Sequence, residues 1–532
     1  DWSSDVCSSD LKLREVSAAA SSISEVSVPN RQKRARTTRH PPPIRWIENP
    51  RSKDEWQRRQ TDAKLQARIA DRRTLPAWEM REDIIDTVNS HQVTIISGET
   101  GSGKSTQSAQ FILDDLYGRA LGETAKIICT QPRRISALGL ADRVSDERCS
   151  VVGQEVGYII RGESKSSLRT KITFVTTGVL LRRLQTSGGS SDDVVASLAD
   201  ISHVIIDEVH ERSLDTDFLL VLLRDVLRKR KDLKLILMSA TLDAGVFESY
   251  FRGDGQVGRI EISGRTYPVE DYYLDDVIRM TGFNTGRGGR GGDEDDDDTE
   301  GMDSDVRNAI QSIGMRINYD LIGQTVRAID AELTHKKQTG GILIFLPGVV
   351  EINRTLDNLR SIPNLHALPL HASLQSVEQR RVFPHAPSGK RKVICATNVA
   401  ETSITIDDIV AVIDTGRVKE TSYDPSNNMR KLEEVWASRA ACKQRRGRAG
   451  RVQAGKCYKL YTRNAELTKM AERPEPEIRR VPLEQLCLSV RAMGIKEVAA
   501  FLASALTPPE SLAVDGAIEI GRASCRERVY GE

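Results

Sequence analysis

The chain has 532 residues, of which 29% are charged, and its formal net charge is +2 at pH 7. This length is sufficient for two or three domains, and the balanced charge excludes a bulk field that would attract a polyanion, so any nucleic-acid surface must be local. No apolar run approaches the roughly 18 residues of a membrane span, and the eight cysteines form no CxxC pair. We therefore expect a soluble intracellular protein, cytoplasmic or nuclear, with no membrane partner.

The two ends of the chain look foreign to the rest of it. DWSSDVCSSDL at residues 1–11 and IGRASCRERV at 520–529 both resemble translations of sequencing-library adapters. Segments of this origin are excluded from reasoning about the fold. We therefore expect 1–11 and 520–532 to be non-native tails, and the native chain to continue past Glu519.

Residues 12–75 are rich in Ser, Arg and Pro, with RQKRAR at 31–36 and PPP at 41–43. This composition predicts a largely disordered, basic N-terminal segment. The basic run is typical of a localisation signal, of an arm that contacts phosphates, or of a solvated tail. We assign no site to it.

The segment GETGSGKST at 98–106 lies between an apolar strand, Val93 to Ile96, and a helical segment that starts near Thr106. This context favours a phosphate-binding P-loop over a plain Gly/Ser connection. Its glycines let backbone N–H groups point inward, Lys104 reaches the β- and γ-phosphates, and the Ser105 hydroxyl ligates Mg²⁺. The predicted ATP-binding residues of the loop are Gly98, Glu99, Thr100, Gly101, Ser102, Gly103, Lys104, Ser105 and Thr106.

Continuous apolar runs alternate with helical patterns on both sides of an acidic insert. Such runs, separated by helices, are typical of parallel strands covered on both faces. The first series is VTIIS at 93–97, KIICT at 126–130, KITFVTT at 171–177, HVIIDE at 203–208 and LKLILMSA at 233–240; the second is GGILIFLPG at 340–348, HALPLH at 366–371, RKVICATN at 391–398 and IVAVIDTG at 409–416. The sequence thus predicts an α/β fold with two tandem domains, 76–264 and 265–479, and a disordered Gly-rich and acidic insert at 284–305.

Acidic and hydroxyl residues follow two strands of the first series. Asp207 and Glu208 come after Val204 to Ile206, a position suited to holding Mg²⁺ and orienting a water for in-line attack on a γ-phosphate. The alternative for this pair is a helix N-cap cluster. The SAT segment at 239–241 ends the next strand, where its hydroxyls could bond to the acidic segment, although SAT alone is a weak signal.

The basic octamer QRRGRAGR at 444–451 places Arg448 and Arg451 three residues apart, near one face of a helix or helical turn. Such a run is often a localisation or nucleic-acid patch. We favour arginine fingers, because a γ-phosphate held by the first domain requires charge neutralisation by a guanidinium that arrives on closure.

Taken together, the motifs resemble those of superfamily two helicases, and among them the DEAH/RHA family that includes RNA helicase A. The resemblance runs through GETGSGKST, TQPRR at 130–134, TTGVLLRRL at 176–184, DEVH at 207–210, SAT at 239–241, ILIFLPG at 342–348, TNVAETSITI at 397–406 and QRRGRAGR. Val209 makes the acidic motif DEVH where the family name has DEAH, which leaves the branch within the family open.

The resemblance implies two tandem RecA-like domains with parallel sheets that close on ATP and Mg²⁺, and the start of a C-terminal winged-helix domain at 480–519. By motif, Asp207, Glu208, Gln444, Arg448 and Arg451 would be catalytic, and Ser105, Asp207 and Glu208 would hold the metal. Arg143 and Phe383 would sandwich the adenine, although ordinary core packing is an equal alternative for Phe383. The predicted RNA-binding residues are Arg133, Arg134, Thr176, Thr397 and Asn398, and residues 423–432 resemble a strand-separating hairpin.

The expected function is therefore that of an ATP-dependent RNA helicase, moving 3′ to 5′ as the family resemblance implies. The alternative is a nucleotide-switched RNA clamp that remodels ribonucleoprotein without unwinding a duplex. DNA as the substrate is a third possibility. The expected partner is RNA, single-stranded or as a tailed duplex, with ribonucleoprotein or ribosome-associated proteins as further candidates.

Overall fold

The computed structural model describes residues 44–530 except 45, 100, 187–190, 241–243, 265–266, 284–302, 315, 402–405 and 452, and describes only the backbone of 191, 254, 376 and 522–530. Its strands are β1 Val93–Gly98, β2 Ile127–Gln131, β3 Val156–Ile160, β4 Glu163–Lys165, β5 Ile172–Thr176, β6 His203–Ile206, β7 Lys234–Ser239, β8 Val257–Ile262, β9 Val269–Tyr272, β10 Gly341–Phe345, β11 Leu365–Leu370, β12 Arg391–Ala396, β13 Ile409–Asp414, β14 Arg417–Asp424, β15 Met429–Trp436 and β16 Gly455–Lys459.

The helices that precede β9 in the chain are α1 Pro50–Gln60, α2 Ala63–Arg73, α3 Pro76–Glu79, α4 Arg81–Ser90, α5 Lys104–Gly118, α6 Arg134–Glu147, α7 Thr177–Gln185, α8 Ser191–Ser197, α9 Leu214–Lys229 and α10 Ala244–Phe251. The later helices are α11 Leu274–Thr281, α12 Ser304–Ile313, α13 Tyr319–His335, α14 Val349–Leu359, α15 Ser376–Gln379, α16 Arg439–Arg446, α17 Arg463–Thr468, α18 Glu477–Arg480, α19 Glu484–Ala492, α20 Val498–Ala503 and α21 Ser511–Tyr530.

The first sheet, with its helices, forms what we call domain 1. Its strands lie in the order β4-β3-β5-β2-β6-β7-β1-β8, and every pair is parallel except β3 with β4. Because successive side chains of a strand face opposite sides, Ile95 and Ile96 of β1 enter two different buried clusters, as do Val204 and Ile205 of β6. The strands are therefore covered on both faces, as their continuous apolar runs predict.

The second sheet forms domain 2. Its order is β11-β12-β10-β13-β16-β9 and all its pairs are parallel. It too has a core on each face, with Ile344 in one cluster and Phe345 in the other. The α/β prediction of two tandem domains with parallel sheets is confirmed, and every predicted strand lies in one of the two sheets.

Strands β14 and β15 form a separate antiparallel hairpin, paired from Arg417 with Trp436 to Asp424 with Met429. The hairpin is longer at both ends than the predicted 423–432 segment. Its tip is closed by the Asp424 side chain, which accepts a hydrogen bond from the Ser426 backbone N–H at 3.0 Å.

The C-terminal helices α18 to α21 pack on domain 1. Phe501 makes an edge contact with Phe218 of α9, with ring centroids 6.1 Å apart, and the Tyr250 hydroxyl of α10 donates to the Ser504 carbonyl at 2.9 Å. The winged-helix assignment of 480–519 stays a prediction. The backbone of α21 continues from 511 through the segment that the sequence marks as a foreign tail, up to Tyr530.

The expectation that residues 12–75 would be largely disordered is wrong for 50–73. Asn49 and Asp62 cap the N-termini of α1 and α2 with their side-chain oxygens, and Pro50 stands at the first position of α1. Helix α2 buries Leu65 and Ile69. Capping and this short apolar stripe stabilise the two helices, which the polar composition of the segment does not predict. Residues 12–43 lie outside the described residues, as do 1–11 and most of the insert 284–305.

Candidate nucleotide and nucleic-acid site

The P-loop connects the end of β1 to the start of α5. Gly101 and Gly103 have φ values of +91° and +89°, a left-handed conformation that favours glycine. Helix α5 begins at Lys104, two residues earlier than predicted, so its N-terminal N–H groups face the loop. The Ala77 N–H of α3 donates to the Ser102 carbonyl at 2.8 Å and fixes the loop from outside. Thr100, predicted to bind phosphate, lies outside the described residues.

Strand β6 brings a buried acidic pair to the same edge of the sheet. The Asp207 carboxylate accepts hydrogen bonds from Gln131 Nε2 at 2.8 Å and from the Glu208 backbone N–H at 2.9 Å. Burial and the neighbouring Glu208 carboxylate raise the pKa of Asp207, while Lys104 and hydrogen bonds from Gln131 and Ser105 oppose the rise. The residues predicted to bind phosphate and Mg²⁺ therefore form one cluster, which contains Lys104, Ser105, Asp207 and Glu208.

Glu208 has the opposite electrostatic balance. Its burial acts to raise its pKa, but the charges of Lys104, Arg133 and Arg451 outweigh burial and lower it. Its backbone has φ +54°, an uncommon left-handed conformation for a glutamate. The carboxylate is therefore held ionised among cations contributed by both domains.

His210 was given no role by the sequence analysis, although it belongs to DEVH. Its Nδ1 accepts a hydrogen bond from the Ala240 backbone N–H at 3.1 Å. Since that N–H can only donate, the neutral ring carries its proton on Nε2, which lies 3.6 Å from Glu208 Oε2. The SAT strand end therefore connects to the acidic motif through Ala240 and His210, whereas the Ser239 hydroxyl has no hydrogen-bond partner among the described residues. Thr241 lies outside the described residues.

The segment QRRGRAGR begins in α16 and ends in a turn. The helix stops at Arg446, so Arg448 and Arg451 lie in the turn that follows it rather than on its face. Arg448 is buried. Burial lowers the pKa of Arg451 to about 10, opposed by Glu208 and Asp407. Gln444 is half-buried and lines the cavity described below.

The other two arginines of this segment are bound within domain 2. Arg445 donates from Nε to Glu401 Oε1 and from Nη1 to Asp414 Oδ1, both at 2.7 Å, and lies over the Phe345 ring. Arg446 Nε donates to the Asp271 carboxylate at 2.8 Å. The octamer thus contains two arginines that hold domain 2 together and one, Arg451, whose charge acts on Glu208 of domain 1.

The residues predicted to sandwich adenine lie on facing elements. Arg143 is on α6 of domain 1, and Phe383 follows a short 3-10 turn, 380–382, of domain 2. The two elements are joined by an ion pair between Asp142 and Arg380 at 3.0 Å. Phe383 is 38% exposed, which argues against the alternative of ordinary core packing.

The predicted RNA-binding residues follow the C-terminal ends of β2, β5 and β12. Arg133 Nη1 donates across the domain boundary to the Asn398 carbonyl at 2.6 Å, and Arg133 Nη2 lies 3.4 Å from Glu211. Arg134 and Asn398 are exposed, whereas Thr176 and Thr397 are half-buried. The structure therefore brings Arg133 and Asn398 into direct contact and leaves the others along the same edges.

A cavity of about 770 Å³ lies between the two domains and the segment 473–480. Its wall includes Arg133, His210, Ala240, Asn398, Gln444 and Glu477, but not Lys104, Arg143 or Phe383. It therefore lies beside the acidic pair, between the nucleotide motifs and the predicted RNA contacts, and not at the predicted adenine position.

Two further features of the described part of the chain bear on the class of protein. None of its helices is both long enough and apolar enough to cross a membrane. Within the same residues, no group of three or more His, Cys, Asp or Glu side chains could hold a metal ion.

Two tandem parallel sheets, a P-loop on the first and an arginine segment on the second define a two-domain nucleotide-dependent motor of the RecA-like type. Residues 78–248 match the family "DEAD/DEAH box helicase", and residues 324–453 match "Helicase conserved C-terminal domain".

Individual relatives narrow the class. The chain is 42% identical over 488 residues to the DExH-box ATP-dependent RNA helicase DExH1 of Arabidopsis thaliana, and 38% identical over 510 residues to the ATP-dependent RNA helicase DHX29 of Homo sapiens. These alignments cover 86% and 87% of this chain. The crystal structure of the Escherichia coli DEAH/RHA helicase HrpB matches with a TM-score of 0.67 and 29% identity, over 84% of this chain and 50% of that one. The chain belongs to the DEAH/RHA family of helicases.

The matches cover only part of each relative. The chain spans 47% of the length of the Arabidopsis protein and 36% of the human one.

Proposed function

We propose that this chain is the ATP-driven motor of an RNA helicase, in which domain 1 holds ATP and domain 2 completes the hydrolytic site. The observation that carries the proposal is the position of Arg451: a half-buried arginine of domain 2 whose charge lowers the pKa of Glu208, the buried carboxylate of domain 1. Such a pairing across two domains suits a reaction that is switched on by closure.

The P-loop fits a bound triphosphate. The Ser102 and Ser239 hydroxyls are buried and have no hydrogen-bond partner among the described residues. Ser102 lies in the P-loop itself, and Ser239 is the last residue of β7. Lys104 is buried with the acidic pair and supplies a cation for the β- and γ-phosphates. Ser105 and Asp207, with Glu208 beside them, offer the oxygen ligands that Mg²⁺ prefers. The ion would neutralise phosphate charge when bound.

The hydrolytic roles follow from the cations around Glu208. We assign Glu208 to orient the attacking water, because it is buried, ionised and fixed at a left-handed backbone position. Arg448 and Arg451 would stabilise the charge that develops on the γ-phosphate, and Gln444 would lie beside them. Arg143 and Phe383 would stack on either face of the adenine, a contact that reads any base similarly.

RNA would run along the strand ends that carry Arg133, Arg134, Thr176, Thr397 and Asn398. These groups suit phosphate and sugar contacts, which give a grip without sequence preference. The bond between Arg133 and the Asn398 carbonyl crosses the domain boundary, so a change in closure also changes the spacing of the two RNA-contacting segments. This coupling supports translocation, and the β14–β15 hairpin is the element we assign to strand separation. The proposed substrate is cytoplasmic or nuclear RNA, including RNA in ribonucleoprotein or ribosome-associated particles.

Strand displacement tests the proposal. The chain is incubated with an RNA duplex that carries either a 3′ or a 5′ single-stranded tail, with ATP or with a non-hydrolysable analogue. We expect ATP-dependent displacement of the 3′-tailed duplex only. The Lys104→Ala variant is expected to lose ATP binding and displacement together, because the loop loses its only lysine. ATP hydrolysis without displacement of either duplex would instead support the RNA clamp, and equal activity on matched DNA would contradict the RNA assignment.

A further inference from the structure

Glu147 is a buried carboxylate in an unfavourable place. It is the last residue of α6 and only 4% exposed. The C-terminal end of a helix carries partial negative charge, which opposes a carboxylate there, and burial adds a desolvation cost. Such a group is stable only if several donors surround it.

The two oxygens of Glu147 have different partners. Oε1 accepts a hydrogen bond from Arg143 Nε at 2.7 Å. Oε2 accepts from Gln107 Nε2 and from Gln110 Nε2, each at 2.8 Å. Both glutamines lie on α5, the helix that begins at Lys104. One carboxylate therefore ties the predicted adenine contact to the helix of the P-loop.

The same network extends into the loop and the N-terminal helices. Gln107 Nε2 also donates to Thr106 Oγ1 at 3.0 Å, and Gln107 Oε1 accepts from Arg72 Nε of α2 at 2.7 Å. The Gln110 Nε2 group donates in addition to the Thr106 carbonyl at 2.8 Å. The amide groups thus have fixed orientations, so the position of Oε2 is fixed relative to the P-loop.

We infer that Glu147 is a positioning residue for adenine recognition, which sets the plane of the Arg143 guanidinium at a fixed place relative to the phosphate-binding loop. Arg143 is 58% exposed and has many rotamers available. A bond to its Nε removes that freedom and leaves the flat face of the guanidinium for a base. The inference rests on the proposed adenine contact of Arg143.

Two ligands separate base recognition from phosphate binding: Mg²⁺-ATP and Mg²⁺-tripolyphosphate, which has no base. In the Glu147→Gln variant, a third side-chain amide replaces the carboxylate that accepts from Gln107 and Gln110, and the ion pair with Arg143 is lost. We expect its dissociation constant for ATP to rise about five- to tenfold, the scale of one cation–π contact, while its affinity for tripolyphosphate stays unchanged. Glu147→Asp keeps the negative charge but moves it away from Arg143, because the side chain is shorter. It should give a smaller rise in the dissociation constant for ATP.

The matched control is Glu155→Gln. Glu155 is also a buried carboxylate, and it accepts from Arg148 Nε at 2.7 Å and from Arg59 Nη1 at 3.2 Å, on the same side of domain 1. This control removes a comparable ion pair that does not include Arg143. It should lower the melting temperature as Glu147→Gln does, yet leave the affinities for both ligands unchanged.

The Arg143→Ala variant decides whether Glu147 acts through Arg143. We expect Arg143→Ala to weaken ATP binding, and Glu147→Gln to have no further effect in that background. Equal weakening of ATP and tripolyphosphate by Glu147→Gln or Glu147→Asp, or additive effects of the two mutations, would overturn the inference. If Arg143→Ala alone leaves ATP affinity unchanged, the adenine contact itself is wrong and the inference falls with it, whereas loss of both ligands in Lys104→Ala would still support the phosphate site.

Discussion

Arg445 and Arg451 belong to one short basic segment, yet their environments differ in kind. Arg445 is buried among carboxylates of its own domain, Glu401 and Asp414, at 2.7 Å. Arg451 is half-buried and acts on a carboxylate of the other domain, Glu208, whose pKa it lowers. One arginine therefore stabilises domain 2 whether or not the domains are closed, and the other contributes only when the two domains meet.

The end of α16 explains the difference. Within the helix, Arg445 faces the sheet of domain 2 and Arg446 faces Asp271 of β9. Arg451 lies beyond the end of this helix, and its charge acts on Glu208 of domain 1. A basic run is thus not a single functional unit, since its position relative to a helix end decides what each guanidinium contacts.

The largest effect is expected when both inter-domain arginines are removed. The double variant Arg448→Ala/Arg451→Ala should lower the ATP turnover number by at least about 10³-fold, equivalent to about 4 kcal/mol, because arginine fingers act mainly in the transition state. Turnover is measured at saturating ATP with and without RNA. Turnover within tenfold of the unmodified protein would return the segment to the basic-patch interpretation.

Removal of Arg445 should affect stability rather than chemistry. Arg445→Ala leaves the Asp414 carboxylate, 1% exposed at its side chain, without its ion-pair partner. Breaking a buried pair in this way costs about 3–5 kcal/mol in the free energy of unfolding. Urea unfolding followed by circular dichroism measures the loss, and an unchanged midpoint would contradict the structural role.

The smallest effect belongs to Arg446. Its ion pair with Asp271 is about one-third exposed on both sides, at 35% and 28%, and exposed pairs contribute roughly 0–1 kcal/mol. Arg446→Ala should therefore shift the unfolding midpoint only slightly, and should leave ATP turnover within about twofold, given its distance from the transition state. A turnover loss as large as that of the double variant would contradict a purely structural role for Arg446.

Much of the fold was predictable because both sheets are buried on both faces. Their central strands are continuous apolar runs, and a strand occurs at each position where such a run predicted one. Strands β3, β4, β8, β9 and β16 were missed. Strand β4 is three exposed residues, β8 and β9 lie at sheet edges and each have two exposed residues, and β16 reads GKCYK. Strand order is also invisible to such patterns, because it depends on long-range pairing such as β1 between β7 and β8.

In the site, the residues with unusual local motifs were predictable and their supporting partners were not. Lys104 and Asp207 stand in motifs whose chemistry is explicit. His210, Gln131 and Glu147 act through neighbours that are distant in sequence, so only the fold reveals them. The helices of 50–73 were missed for a related reason: Arg72, polar in sequence, is 3% exposed and bonded to Gln107 of α5.

The central claim is that a guanidinium from domain 2 completes an ATP site built by domain 1. The most direct test is the single variant Arg451→Ala, with ATP affinity measured by equilibrium binding and hydrolysis measured under single-turnover conditions on the same preparation. The account predicts an ATP dissociation constant within about threefold of the unmodified protein and a hydrolysis rate lower by at least about 100-fold. An unchanged hydrolysis rate, or a loss explained entirely by weaker binding, would contradict it.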